Sequence, residues 1–214
     1  MADGNIKVLL VDDHVVVRNG VRLMLSSEAD IVVTAEASAA QEALGLIRAQ
    51  DFDVALIDIA MPGKNGLELL KQIRAEKPGV AVLILSTYSE EVYAVRALKA
   101  GAAGYLTKES PASVLVAAVR KAAAGGKYVS ATLTEKLADF IGGDGPAASH
   151  ETLSDRELEV LKLIAAGESL VKIAEKLHLS PNTVTTYRTR VLEKMGMSNN
   201  AELTRYAMES GLLL

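Results

Sequence analysis

Ile6-Lys7-Val8-Leu9-Leu10-Val11-Asp12-Asp13 is the stretch whose reading decides the fold. It is a short apolar run, interrupted only by Lys7 and closed by two adjacent carboxylates. That is too short for a membrane span, lacks the layout of a signal peptide, and reads as a buried strand. An amphipathic stretch, Val15–Leu25, follows it, and the pairing then recurs along the chain. Strand-like Ile31–Glu36, Val54–Asp58, Val80–Ser86 and Gly104–Thr107 alternate with helical Ala39–Ala49, Leu67–Lys77, Glu91–Ala100 and Pro111–Ala124. Strands that are apolar throughout are buried on both faces, as in a parallel sheet covered by helices. Five such units predict an α/β, doubly wound (βα)5 domain of flavodoxin-like order. Ser38 with Gln41 and Asn65 with Glu68 read as capping boxes, and Ser110-Pro111 as an N-cap with a first-turn proline.

Past Gly125-Gly126 the alternation stops. Leu133–Ile141 has the spacing of a short amphipathic helix, and Gly142-Gly-Asp-Gly-Pro146 then breaks structure. The rest contains no strand pattern. Ser154 with Glu157 caps a helix that Gly167 ends, and Val171–Leu177 makes a short second helix. Ser180-Pro181 opens a third that runs to about Met195, and Asn199 with Glu202 starts a fourth that ends near Gly211. A short helix, a three-residue turn and a longer capped helix outline a helix-turn-helix in an all-α, four-helix domain. The expected domains are residues 1–126, a linker over 127–149 with its short helix, and residues 150–214.

Bulk properties agree with two modest domains. The 214 residues are half hydrophobic and 23% charged, which is globular composition. The absence of cysteine excludes disulfides, thiolate metal sites and a thiol nucleophile, and a reducing cytoplasm is the expected location. A net charge of -4 argues against a protein that coats nucleic acid, although it leaves room for a local basic surface.

Ligands of an open α/β sheet bind beyond the carboxyl ends of its strands. Asp12 and Asp13 lie there on the first strand, Asp58 on the third, Ser86-Thr87 on the fourth, and Lys108 just past the fifth. Taken singly, an Asp at a strand end is usually a turn former or cap, and a lone Lys is usually solvated. Taken together, these polar groups converge at one edge. Three crowded carboxylates repel unless a cation holds them, and an oxygen-only set that leaves room for water and a phosphoryl oxygen suits Mg2+.

Val-Asp12-Asp13-His, Ile-Asp58-Ile-Ala-Met61-Pro62-Gly63, Leu-Ser86 and Gly101-Ala-Ala-Gly104-Tyr105-Leu-Thr-Lys108 resemble the signature of two-component receiver domains, over roughly residues 5–125. The resemblance implies that Asp58 is the phosphoacceptor, phosphorylated by a sensor histidine kinase. It implies that Mg2+ is held by Asp13, Asp58, the Ile59 main-chain carbonyl and, through water, Asp12. Lys108 would pair with a phosphoryl oxygen, Ser86 would bond the arriving group, and Tyr105 would reorient. Where many receivers carry proline, Glu109 stands here, so no cis bond is expected after Lys108. Ala60 stands where receivers often carry a larger side chain, which bears on the lifetime of the phosphate.

Leu153-Ser-Asp-Arg-Glu157, Leu179-Ser-Pro-Asn-Thr-Val184 and Leu192-Glu-Lys-Met195 resemble the LuxR-type helix-turn-helix. Joined to a receiver, it defines the NarL/FixJ class of response regulators. On the third helix Val184, Tyr187, Val191 and Met195 form an apolar stripe, and the opposite surface carries Asn182, Thr183, Thr185, Thr186, Arg188, Thr189, Arg190 and Lys194. Short polar side chains near a helix N-terminus reach base edges, and arginine and lysine further along suit phosphates. Ser169-Leu-Val-Lys172-Ile-Ala174 is less polar than the family's usual second helix, and Thr185 stands where lysine is frequent. On the fourth helix Leu203, Tyr206 and Ala207 are either a dimer seam or ordinary core. The implied partners are the kinase, a double-stranded operator of two-fold symmetry, a second copy of the chain upon activation, and RNA polymerase.

Three other readings compete: an enzyme, a nucleotide-binding domain and an interaction module. A Mg2+-dependent phosphatase of haloacid-dehalogenase type wants a second carboxylate where Ala60 stands, and no Gly-x-Gly-x-x-Gly or Walker loop follows the first strand. A phosphorylation-independent interaction module would not need so complete an acidic pocket. The reading is a regulator, not an enzyme.

Overall fold

The computed structural model describes residues 4–61, 65–87, 90–130, 133–134 and 150–213, with side chains 90–92 excepted. The chain divides into two compact units, Met1–Leu137 and Ala138–Leu214.

In the first unit β1 (Ile6–Val11), β2 (Ile31–Ala37), β3 (Val54–Ile57), β4 (Ala81–Ser86) and β5 (Gly104–Thr107) form one parallel sheet in the order β2-β1-β3-β4-β5. After each strand comes a helix: α1 (Val15–Ser26), α2 (Ala40–Ala49), α3 (Gly66–Glu76), α4 (Glu90–Lys99) and α5 (Ala112–Ala123). This is the expected flavodoxin-like order, and its reversal between β1 and β3 opens a crevice at the strands' carboxyl ends. β3 is buried at every residue, whereas edge strand β2 buries only Ile31 and Ala37. Val8, Leu10, Leu56 and Leu83 pack with Val21 and Leu25 of α1 and Leu115 and Val119 of α5. The intervening Leu9, Val11, Ala55 and Ile57 are equally buried and face the other side of the sheet.

Two helix starts differ from expectation. Ser38 does not cap through Gln41: α2 begins at Ala40, and the Ser38 N–H and hydroxyl both donate to the Glu42 carboxylate (2.7 and 3.0 Å). A carboxylate accepts more strongly than an amide, and these bonds hold the Glu42 pKa below its ordinary value. Ser110 is not the cap of α5; Pro111 occupies that position, and the Ser110 hydroxyl pairs with that of Thr107 at 3.2 Å. Asn65 does cap α3, accepting from the Glu68 N–H at 3.0 Å. The peptide bond after Lys108 is trans.

The segment expected to begin the linker stays with the first unit. Tyr128 donates its N–H to the Ala103 carbonyl at 2.7 Å and bridges to Gly104, where an added Cβ would lie 2.7 Å from the Tyr128 oxygen. Leu133 is buried. Most of the expected helix at 133–141 and the whole break at 142–146 lie outside the described residues.

In the second unit a 3-10 turn, His150–Thr152, precedes α6 (Asp155–Ala165), α7 (Leu170–Leu177), α8 (Pro181–Met195) and α9 (Asn200–Glu209). Ser154 and Glu157 complete a capping box in both directions, Ser169, Ser180 and Asn199 cap the next three helices, and Pro181 opens α8. The turn between α7 and α8 depends on His178 in the left-handed region (φ 54), one of the non-glycine types that tolerates it. Leu158, Leu161, Ile173, Val184, Val191 and Leu203 make the core.

Candidate functional site

Val11 of β1 and Ile57 of β3 are register partners, so Asp12 and Asp58 emerge side by side at the crevice. The ladders continue one residue further, Asp58 N–H donating to the Val11 carbonyl (2.9 Å) and Lys108 N–H to that of Ser86 (2.8 Å). Lys108 therefore reaches in from the end of β5, its Nζ 2.6 Å from Asp12 Oδ2 and 2.7 Å from Asp58 Oδ2. Asp12, Asp58, Ser86 and Tyr105 are buried, Asp13 is partly exposed, and Thr87 is exposed.

Burial pushes the Asp58 carboxyl above its ordinary pKa, aided by the neighbouring Asp12 charge and opposed by the Lys108 ammonium and the Ala60 N–H. Burial also disfavours charge on Lys108, but its close contacts with the carboxylates of Asp12 and Asp58 outweigh that and hold its pKa above the ordinary value. Asp12 Oδ2 and Asp13 Oδ1 are buried acceptors with no hydrogen bond of good angle, and they face Lys108 Nζ at 2.6 Å and His14 Nδ1 at 2.9 Å as charge contacts. Asp12, Asp13, His14 and Asp58 each place one ligand atom within 4.8 Å of the rest. Carboxylate oxygens in a cluster of this size fit a hard divalent cation.

One expected ligand does not fit. The Ile59 carbonyl accepts from both the Met61 and the Gly66 N–H, each at 3.0 Å, so its two lone pairs are already used within the loop. Pro62 and Gly63 lie outside the described residues.

On the second unit, Asn182, Thr185, Thr186, Thr189, Arg190 and Lys194 are exposed on α8, Thr183 and Arg188 are half-buried, and Val184, Val191 and Met195 face the core. The threonine hydroxyls at 185, 186 and 189 donate to carbonyls one turn back, at 3.0 to 3.1 Å. Arg188 donates to Asn200 Oδ1 at 2.6 Å. Lys194 is paired with the buried carboxylate of Glu157 at 2.6 Å. Leu203 and Ala207 are wholly buried, and so belong to the core and not to an exposed seam. The hydroxyl of Tyr206 meets the His150 N–H and Nδ1 at 3.1 and 2.8 Å.

Residues 8–120 match the response regulator receiver domain, and residues 151–207 match the bacterial regulatory proteins of the luxR family. Response regulator UvrY of Escherichia coli K12 is 36% identical over 208 residues, covering 97% of this chain and 95% of that protein. This chain belongs to the NarL/FixJ class of two-component response regulators. Response regulator GacA of Pseudomonas aeruginosa is 35% identical over 97% of the chain and 98% of its own length. Among solved structures, the regulator resembles response regulator ChrA of a heme-sensing two-component system (35% identity, TM-score 0.53, 98% and 100% covered). It also resembles RcsB of Salmonella enterica serovar Typhimurium bound to a promoter in the presence of phosphomimetic BeF3- (25% identity, TM-score 0.69, 96% and 100% covered).

Three residues around the regulator's pocket carried no role in the sequence reading. His14 sits against Asp12 and Asp13, as the run of polar residues after β1 could have signalled. Arg18, one turn into α1, donates to the Asp12 carbonyl at 2.5 Å and pairs with Glu36, fixing the end of β1. Gly66 starts α3 so close to the pocket loop that a Cβ would lie 2.1 Å from the Asp58 carbonyl oxygen, so any side chain would displace the strand end that carries Asp58.

Proposed function

We propose that Asp58 accepts a phosphoryl group from the phosphohistidine of a sensor kinase, and that this controls dimerisation and sequence-specific DNA binding by the second unit. The observation that carries the reading is Lys108 Nζ held between the buried carboxylates of Asp12 and Asp58 at 2.6 and 2.7 Å. An Asp58 oxygen bonds phosphorus as the donor's P–N bond breaks, giving an acyl phosphate and returning the imidazole. Lys108 then exchanges a carboxylate for a phosphoryl oxygen, which spreads its charge over the arriving group. The residues fit Mg2+ through Asp13, Asp58 and, through water, Asp12. When bound, the ion offsets negative charge on the phosphoryl oxygens. Ser86 would bond the phosphoryl group, and Tyr105 would move in response.

On α8, Asn182, Thr183, Thr185, Thr186 and Thr189 would face bases, while Arg190, and Arg188 once it leaves Asn200, would contact phosphates. That RcsB has been solved on a promoter supports DNA as the partner. No helix among the described residues is long and apolar enough to cross a membrane, in keeping with a regulator at work in the cytoplasm. The regulator, treated with acetyl phosphate and Mg2+, is expected to gain one phosphoryl mass by intact-mass spectrometry, and Asp58→Asn none. An adduct that persists on the variant overturns the assignment, and steady turnover of a phosphoester would favour an enzyme.

A further inference from the structure

Three of the side chains exposed on α8 are threonines whose hydroxyls are already engaged. Thr185, Thr186 and Thr189 donate to the carbonyls of Pro181, Asn182 and Thr185, one turn back, at 3.0, 3.0 and 3.1 Å. A threonine carries two branches on Cβ, and staggering keeps them apart. With Oγ1 folded back onto the helix backbone, the branch left to meet a partner is the methyl group. A hydroxyl so engaged has no proton to offer the acceptors that guanine and adenine present in the major groove. Donors stand to either side of these methyls, on Asn182 and Arg190, which line one cleft with Thr186. Eight residues of helix separate the two, ~12 Å, or about three to four base-pair steps.

We infer that α8 reads its half-site through methyl groups. Thr185, Thr186 and Thr189 pack on the C5-methyl groups of thymines, Asn182 donates to a base edge at the helix start, and Arg190 holds a phosphate further along. The inference rests on the proposed reading of α8 as the helix that enters the major groove, and it names the DNA such a helix takes. The thymine methyl is the one apolar group that base pairs offer in that groove. A threonine methyl laid against it removes apolar surface from water on both partners. Laid against a guanine or cytosine edge, the same methyl covers polar atoms and leaves them without partners, which costs binding. The rival reading is a hydroxyl that turns about χ1, gives up its backbone carbonyl and bonds a base. It makes the opposite prediction about which half of the side chain matters.

The test selects a preferred duplex from random DNA with the full-length regulator, then replaces the half-site thymines by deoxyuridine, which pairs alike and lacks only the C5-methyl group. Binding is expected to weaken about 3-fold for each thymine contacted, and about 10-fold for two. Thr185→Ser, Thr186→Ser and Thr189→Ser together keep the hydroxyls and remove the methyls, so the preference for thymine over uracil is expected to disappear. Valine at the same three positions restores the methyls without the hydroxyls, and is expected to bring that preference back. Three results overturn the proposal: a selected half-site without thymine, equal affinity of the wild-type chain for the two duplexes, or a preference that serine keeps and valine loses. In each of them, binding that Arg190→Ala weakens on every sequence leaves α8 standing as the DNA-binding helix. A chain that selects no sequence at all overturns both readings.

Discussion

At the scale of single residues, Lys108 is the one whose removal is most informative. It stands between two buried carboxylates that repel each other. Lys108→Met should cost about 3 kcal/mol of stability, because breaking a buried pair strands the partner charges. A dication then becomes the remaining counter-charge, so Mg2+ should raise the thermal midpoint of the variant more than that of the wild-type protein. Equal Mg2+ responses in thermal melts would show that Lys108 and the cation do not share these carboxylates. The Asp-Asp pair, Asp58 and Lys108 were legible in the sequence because each closes a strand, and strand ends are easy to place. The roles of His14, Arg18 and Gly66 were not legible. They depend on how α1 and α3 leave the sheet, a matter of ångströms that periodicity does not encode. The two hydrogen bonds that occupy the Ile59 carbonyl were not legible for the same reason, since a loop's fold decides which oxygen stays available.

Among the elements, α6 and α8 hold charges whose roles differ from their appearance in sequence. Lys194 looks like one more phosphate contact but neutralises the buried Glu157, whose carboxyl is held below its ordinary pKa against the effect of burial. Lys194→Ala should therefore lower stability by about 1 kcal/mol, the lysine being partly exposed, and leave the salt dependence of DNA binding nearly intact. Arg190→Ala should do the reverse, flattening the log–log salt slope by about one unit. Salt titrations and melts of the two variants check both expectations, and similar slopes would place Lys194 on the DNA. Lys162 of α6 supplies a pH signature. Burial pushes its pKa down to about 8, with Glu159 opposing. A lowered lysine pKa means that the folded state disfavours the charged form. The cost is fully present below the folded value of about 8 and is relieved as pH rises from there toward the ordinary lysine value. Melts of the second unit should therefore show stability rising over that window, and Lys162→Met should be more stable at neutral pH and lack the rise. The caps at Ser154, Ser180 and Asn199 were legible because capping chemistry is local. Those of α2 and α5 were misplaced because a competing carboxylate and a proline backbone won the local contest.

Over the whole molecule, a receiver unit and a luxR-family unit share one chain, with the sequence Gly-Gly-Asp-Gly-Pro at residues 142–146 between them. On the proposed function, phosphorylation is expected to act through changed receiver contacts, releasing the DNA-binding unit, promoting dimerisation, or both. Two recognition helices ~34 Å apart would match half-sites one DNA turn apart, and pairing makes the second contact effectively intramolecular. The two-domain outline was legible because the hydrophobic period changes from strand–helix alternation to helix alone, whereas a partner surface leaves no such period. The most direct measurement is the affinity of the regulator for a whole operator, selected from random DNA, before and after treatment with acetyl phosphate and Mg2+. Binding should tighten about 10-fold or more for the wild-type chain and not at all for Asp58→Asn. Equal tightening in both, or none in a wild-type chain shown to carry the phosphoryl group, would contradict it.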